Sequence, residues 1–206
     1  MVNTPNDLVF VETLIKQLAI KNSSAAEIGI EGLIETVEGL SNVDKIAQSS
    51  EKLEALVLGM GDYAASQRMR INTIGNVSSE AGDIWQYPRY RLIVACHANG
   101  INPIDGPYAD VKDVTGLKQD SKKTSLIGMM GKWAIHPDQV TPITEAFTPG
   151  KDVISTARKQ KTAYEKGLSE GLGSVSVDGV MVDAANAKTI YELLALNELY
   201  LSIIHI

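Results

Sequence analysis

Residues 55–62 read Ala-Leu-Val-Leu-Gly-Met-Gly-Asp. Four apolar residues closed by a glycine suit a strand of a parallel sheet, covered on both faces. Asp62 then stands where that strand emerges. Upstream, residues 27–35 repeat the plan. Ile28 and Ile30 alternate, Leu33 and Ile34 cluster, and Glu35 follows. Downstream, residues 101–104 lead into Asp105-Gly106-Pro107, and residues 132–135 lead into His136-Pro137. Strands are therefore expected near 27–34, 55–58, 101–104 and 132–135, each delivering a polar group after its last apolar residue.

Helical patterns fill the intervals. Thr4 and Pro5 make an N-cap and a first helical residue, with Asp7 in the first turn. Leu8, Val11, Leu14, Ile15 and Leu18 then recur at helical spacing. A loop is read at Asn22-Ser23-Ser24. Further helices are expected at 39–50, carrying Leu40, Val43 and Ile46 on one face, at 86–98 before Asn99-Gly100, and at 110–128. Residues 68–84 read as a long polar loop. Helices at 139–146 and 150–168 lead to Ser174–Asp183, whose Asp178-Gly179 is a hairpin dipeptide. A last helix covers 184–204. Strands alternating with helices mean a parallel sheet of α/β class. The natural division is 1–148, carrying the sheet, and 149–206, a helix–hairpin–helix extension.

Composition narrows the function classes. The chain has 206 residues, 44% hydrophobic and 21% charged, so it can bury a core and is not a disordered polymer. Its net charge of −6 disfavours general nucleic-acid binding, which needs clustered base. No apolar run is long enough to span a membrane. The N-terminus carries Asp7 and Glu12 and lacks the basic start of a secretion signal, so a soluble, cytoplasmic protein is expected. Cys96 is the only cysteine, which excludes an internal disulfide and a cysteine-based zinc site.

Ligands and chemistry collect at the carboxyl ends of strands in parallel α/β folds. If their strands are neighbours, Glu35 and Asp62 sit side by side on that rim. Two adjacent oxygen donors suit a hard cation such as Mg²⁺, which keeps open positions for substrate. The competing reading is that Glu35 caps one helix and Asp62 starts another. Gly59, Met60 and Gly61 could offer backbone N–H groups to a substrate carboxylate. Asp105 lines the site or holds the turn before Gly106. His136 is a base or a hydrogen-bonded structural residue. Asp178 reads as a turn former, and Asp183 fits a helix N-cap. Arg68, Arg70, Arg89, Arg91 and Lys132 supply positive charge, though each singly reads as a solvated surface group. Cys96 reads as a small core residue.

These stretches resemble the citrate lyase β-subunit and malyl-CoA lyase superfamily. The matching blocks are Leu33-Ile34-Glu35-Thr36 with Gly39, Leu58-Gly59-Met60-Gly61-Asp62, Arg89-Tyr90-Arg91 and Ala98-Asn99-Gly100-Ile101. They continue through Ile104-Asp105-Gly106-Pro107-Tyr108-Ala109-Asp110, Gly131-Lys132-Trp133-Ala134-Ile135-His136-Pro137 and Asp178-Gly179-Val180-Met181-Val182-Asp183. The blocks follow the family order, and Ile-Asp-Gly-Pro-Tyr looks closest to the malyl-CoA/β-methylmalyl-CoA branch. The resemblance implies a (β/α)8 TIM-type barrel, of which this chain holds the C-terminal half, followed by a lid. It implies Mg²⁺ as cofactor with Glu35 and Asp62 as ligands, and Asp183 as the catalytic acid/base. The substrate-binding set it implies is Gly59, Gly61, Asp105, Ile135, His136 and Pro137. The implied substrate is a CoA thioester, in a homotrimer or homohexamer whose lids exchange between subunits. The implied reaction is reversible carbon–carbon cleavage of a 3-hydroxyacyl-CoA, for malyl-CoA to acetyl-CoA and glyoxylate.

The resemblance leaves alternatives. A malyl-CoA thioesterase or a citramalyl-CoA lyase would use the same site. The family barrel has eight strands and four are legible here, and no residue matches the family arginine that polarises the thioester. A non-catalytic barrel fragment that needs a partner chain is therefore the reading from a different class.

Overall fold

A computed structural model describes residues 1–22, 27–74 and 82–204. Two compact units divide the chain, Met1–Phe147 and Thr148–Ile206. In the first, four parallel strands lie side by side in chain order: β1 (Ile30–Ile34), β2 (Leu53–Leu58), β3 (Asn102–Asp105) and β4 (Gly131–Lys132). The α/β class with a parallel sheet is as the alternation of patterns requires. The register aligns Ile34 with Leu58 and Val57 with Ile104, so the carboxyl ends of β1 and β2 finish level.

The pleat sorts each strand into two faces. Ile34, Leu56 and Leu58 are fully buried. They point toward the helical layer, where α5 (Gln86–Ala98) buries Leu92 and Cys96. Leu33, Val57 and Ile104 share the opposite face and are only half-buried. Glu35 follows the alternation onto that more open face. Helix α1 (Pro5–Lys21) starts as expected, with the Asp7 carboxylate accepting from the N–H groups of Asn3 and Thr4 at 2.9 and 2.8 Å. Those two bonds hold the Asp7 carboxyl below its ordinary range. Just before it, Val2 donates to Leu33 O at 2.9 Å and adds one bond to the free edge of β1.

Several expectations change. The strand read at 132–135 is only Gly131–Lys132: Trp133 N still donates to Asp105 O at 2.9 Å, but Ile135 N donates to the Gln139 side chain. The helix read at 39–50 is two short ones, α2 (Val37–Ser41) and α3 (Val43–Ala47), broken at Asn42. The strand read from 27 begins at Ile30. Residues 60–66, between the strand and the loop read from sequence, form α4 (Met60–Ser66). Helix α6 (Val114–Leu126) starts later than residue 110, because Asp113 caps it by accepting from Gly116 N at 2.9 Å. Helix α7 (Pro137–Phe147) starts earlier than residue 139. On α1, Leu8 is buried but Val11, Leu14 and Leu18 remain exposed, so the periodic stripe finds no cover among the described residues. The loop readings at 22–24 and 68–84 fall partly on residues outside the described set.

The second unit is α8 (Lys151–Ser169), a hairpin of β5 (Ser174–Val177) and β6 (Val180–Asp183), and α9 (Ala184–Ile204). Ala157 and Tyr164 from α8 pack with Val182 and with Ala187 and Ile190 from α9. Asp178 and Gly179 both adopt positive φ, 51° and 82°, as a tight hairpin turn demands.

Candidate active site

The carboxyl ends of β1 and β2 bring Glu35 and Asp62 together. The ladder runs one step past the strands, with Gly59 N donating to Ile34 O at 2.8 Å. That bond sets Gly59 beside Glu35. A side chain at Gly59 would strike Glu35 Cβ and come within 2.8 Å of its Oε2, so glycine is what lets Glu35 lie across the strand end. Asp62 follows in the first turn of α4. Burial pushes the Glu35 carboxyl above its usual range, and the Asp62 charge and a hydrogen bond to Asp62 push it further. The level ends of β1 and β2 thus set the two carboxyls at one rim.

The capping alternative for Glu35 does not hold. Its neighbour Thr36 caps α2, accepting from Gly39 N at 2.9 Å and donating to Asn3 Oδ1 at 2.5 Å. Asn42 Nδ2 ties in the same segment by donating to Asn3 O at 3.0 Å. Glu35 is left free to project. Asp62 does begin a helix, and that helix start is what aims it at Glu35.

Gly61 opens onto empty space: a Cβ there meets nothing within 4 Å. It borders a cavity of about 500 Å³ with Ala65, Met69, Asn72, Thr73 and Ala109. The Gly59 N–H, read as a donor to substrate, is taken by Ile34 O instead, while the first N–H groups of α4 have no acceptor within the helix.

Asp105 is a correction. It is fully buried and sits on the helix-facing side of β3, not on the open rim. Arg89 grips it through Nε at 2.9 Å and Nη2 at 3.1 Å. Lys132 Nζ donates to Asp105 Oδ2 at 2.5 Å and to Asp120 Oδ2 at 2.7 Å. Arg89 Nη2 also reaches Asp120 Oδ1 at 3.0 Å. Burial pushes the Asp120 carboxyl up, but Lys132 and Arg89 outweigh it and hold it below its usual range. The Asp105 oxygens are taken up inside the protein. Arg89 and Lys132 are correspondingly buried rather than solvated.

Ile135, His136 and Pro137 lie beyond β4. Ile135 N donates to Gln139 Oε1 at 2.9 Å, and Gln139 Nε2 donates to Tyr108 O at 2.8 Å. Gln139, itself buried, thus ties the segment after β4 to the one after β3. Ile135 and His136 stay exposed, and Asp138 N donates to His136 Nδ1 at 3.2 Å. Asp183 belongs to the second unit, where its Oδ1 accepts from Ala185 and Asn186 N–H at 2.9 and 3.0 Å. It is the N-cap of α9. Cys96 is buried, and burial pushes its thiol up to about 12, as befits a core residue.

Asp120, Gln139 and Thr36 escaped the sequence reading. Asp105 and Lys132 carried a usable signal. A charge inside a buried parallel strand needs an opposite charge beside it, and neighbouring strands offered one of each sign.

The carboxylate pair suits a divalent cation. Two repelling oxygen donors at a strand-end rim match the donor type and low protein-ligand number that Mg²⁺ accepts. Among the described residues no third His, Cys, Asp or Glu joins them.

A parallel α/β unit with an acidic pair at its carboxyl rim defines a class, and comparison places the chain within it. Residues 1–137 match the HpcH/HpaI aldolase/citrate lyase family, and the chain belongs to that family. It is 34% identical to the L-malyl-CoA/β-methylmalyl-CoA lyase of Rhodobacter capsulatus over 192 residues, 88% of this chain and 60% of that protein. It is 29% identical to citrate lyase subunit β of Escherichia coli, over 88% of this chain and 58% of that one. The chain therefore spans about 60% of the length of the curated relatives it matches. Among solved structures, RipC from Yersinia pestis aligns with 73% of this chain and 62% of its own at 32% identity, with a TM-score of 0.61. A citrate lyase from Burkholderia xenovorans covers 96% of this chain and 62% of its own at 22% identity, with a TM-score of 0.82, and speaks for the fold alone.

Proposed function

We propose that this chain forms four strands of a (β/α)8 barrel in a Mg²⁺-dependent lyase. The lyase cleaves the carbon–carbon bond of a 3-hydroxyacyl-CoA such as malyl-CoA to acetyl-CoA and glyoxylate, reversibly. The observation that carries this reading is that β1 and β2 end level, joined by the Gly59–Ile34 bond, which sets Glu35 beside the segment that carries Asp62. The half-buried apolar face of Leu33, Val57 and Ile104 supports the barrel, since such a face lines a barrel interior. Relatives named for malyl-CoA and citramalyl-CoA cleavage support the substrate class.

Glu35 and Asp62 would hold the ion. When bound, Mg²⁺ supplies a Lewis acid that draws electrons from the carbon becoming an aldehyde. The remaining chemistry falls to the chain. Glu35 would bind as the carboxylate, its proton given up to solvent. The first N–H groups of α4 have no acceptor within the helix, and a substrate carboxylate can accept from them. Ile135 and the ring of His136 flank the same end of the sheet and limit where a thioester can lie. Asp183, on the second unit, moves a proton to or from the acetyl carbon. Its Oδ1 holds the two N–H groups of α9, which leaves Oδ2 to carry the proton. Closure of that unit over a neighbouring subunit's rim, in a trimer or hexamer, would exclude water.

The test is direct. Purified chain with malyl-CoA and Mg²⁺ releases glyoxylate and acetyl-CoA, and Glu35→Ala or Asp62→Ala abolishes both. Free malate instead of glyoxylate would identify a thioesterase. The shorter span relative to the relatives favours one further reading, a metal- and lid-bearing piece active only with a partner chain. Turnover that appears only on adding that partner would establish it.

A further inference from the structure

We propose that the buried ion cluster of Arg89, Asp105, Asp120 and Lys132, acting through Gly106, is a positioning device for the Glu35–Asp62 pair. This inference rests on the metal reading of that pair. The cluster carries a cost. Charges largely removed from water destabilise the fold unless they are closely matched. Here they are matched: the ion-pair contacts among them run from 2.5 to 3.0 Å. The cluster joins α5, the last residue of β3, α6 and the last residue of β4, so it fixes where β3 ends.

The turn after β3 is packed without slack. Gly106 comes directly after Asp105. A Cβ on it would lie 2.5 Å from Leu58 O and 2.6 Å from Met60 Cγ. Leu58 and Met60 flank Gly59, and Gly59 touches Glu35. Asp62 follows Met60 in the first turn of α4. A continuous path of close contacts thus runs from the cluster through Gly106 to the backbone that carries Asp62 and braces Glu35. The cluster also anchors a second side of the rim. Trp133 N donates to Asp105 O at 2.9 Å, which ties the segment after β4 to the same strand end. A stability role alone would not require β3 to end in contact with the very residues that separate the two carboxylates. Supporting groups of this kind tune metal affinity by about 10- to 100-fold.

The experiment measures Mn²⁺ binding to the full chain by electron paramagnetic resonance of the free ion. Wild type is compared with Gly106→Ala, Lys132→Met, Lys132→Arg and Ile46→Val. Ile46 is a buried residue of α3 outside the path and controls for lost stability. Gly106→Ala and Lys132→Met should weaken Mn²⁺ affinity about tenfold while the folded fraction stays complete. Lys132→Arg should recover part of the loss, and Ile46→Val should bind as wild type does. If Lys132→Met does not fold, Gly106→Ala carries the comparison by itself. Wild-type affinity in folded Gly106→Ala overturns the inference and leaves the metal reading intact. An equal loss in Ile46→Val overturns it too. A wild-type chain that binds no Mn²⁺ removes the metal reading and this inference with it.

Discussion

Replacing Lys132 by Met removes one of the two cations that neutralise Asp105 and Asp120. The Lys132 side chain is completely buried, and methionine fills nearly the same volume, so packing changes little. What changes is charge. Two ion pairs disappear, and Arg89 remains as the shared partner of both carboxylates. Breaking a buried pair from one side costs about 3–5 kcal/mol. Arg89 still holds Asp105 through two nitrogens and Asp120 keeps some solvent contact, so the lower end applies, roughly 3 kcal/mol. A unit of this size loses about 2–4 °C per kcal/mol, which places the melting point about 6–12 °C lower. Urea unfolding followed by tryptophan fluorescence reads the first unit selectively, since Trp85 and Trp133 both lie in it. The pH dependence supplies a second signature. The folded-state pKa of Asp120 is depressed, so its stabilisation is complete above the unfolded value and disappears as pH falls through the folded one. Lys132→Met weakens that depression, and the gap between variant and wild type should narrow on acidification. A loss under about 1 kcal/mol with an unchanged pH profile would refute the buried-network account.

Other outcomes concern the rim. Gly59→Ala drives a methyl group into Glu35; it should cost about 1–3 kcal/mol and weaken divalent-ion binding, checked by unfolding and by metal titration. Glu35→Gln removes a repulsive charge: without metal the variant should unfold no earlier than wild type at neutral pH, yet lose any Mg²⁺-induced rise in melting point. The sign comes from the raised Glu35 pKa. The folded state carries a penalty when the group is ionised, and that penalty fades as pH falls through the folded value. Mg²⁺ binding to wild type should accordingly strengthen with rising pH across that range, which titration calorimetry measures. Cys96, buried with its thiol pushed up to about 12, should resist thiol reagents at neutral pH until the chain unfolds, read by a colorimetric thiol assay.

Strand positions were legible where apolar runs ended abruptly. Leu53–Leu58 and Asn102–Asp105 lie within two residues of the bounds their patterns predict. The adjacency of Glu35 and Asp62 was legible too, once sequential parallel strands were taken as neighbours. Less was legible where a polar side chain replaces a backbone ladder. Nothing in residues 132–135 reveals that Gln139 takes the Ile135 N–H. Nor does any local pattern tell Asp105 on the helix side from Glu35 on the open side. That distinction depends on Arg89 and Lys132, 16 and 27 residues away respectively on other elements. The apolar stripe of α1 was read correctly as helical, but its periodicity did not say what would cover it.

The central claim is that the two acidic groups at the ends of β1 and β2 form one cation site. Counting Mn²⁺ bound to the full chain tests it most directly. One ion per chain, displaced by Mg²⁺ and lost in both Glu35→Gln and Asp62→Asn, is the predicted result. Binding that survives either substitution, or no binding to the folded wild-type chain, would contradict it.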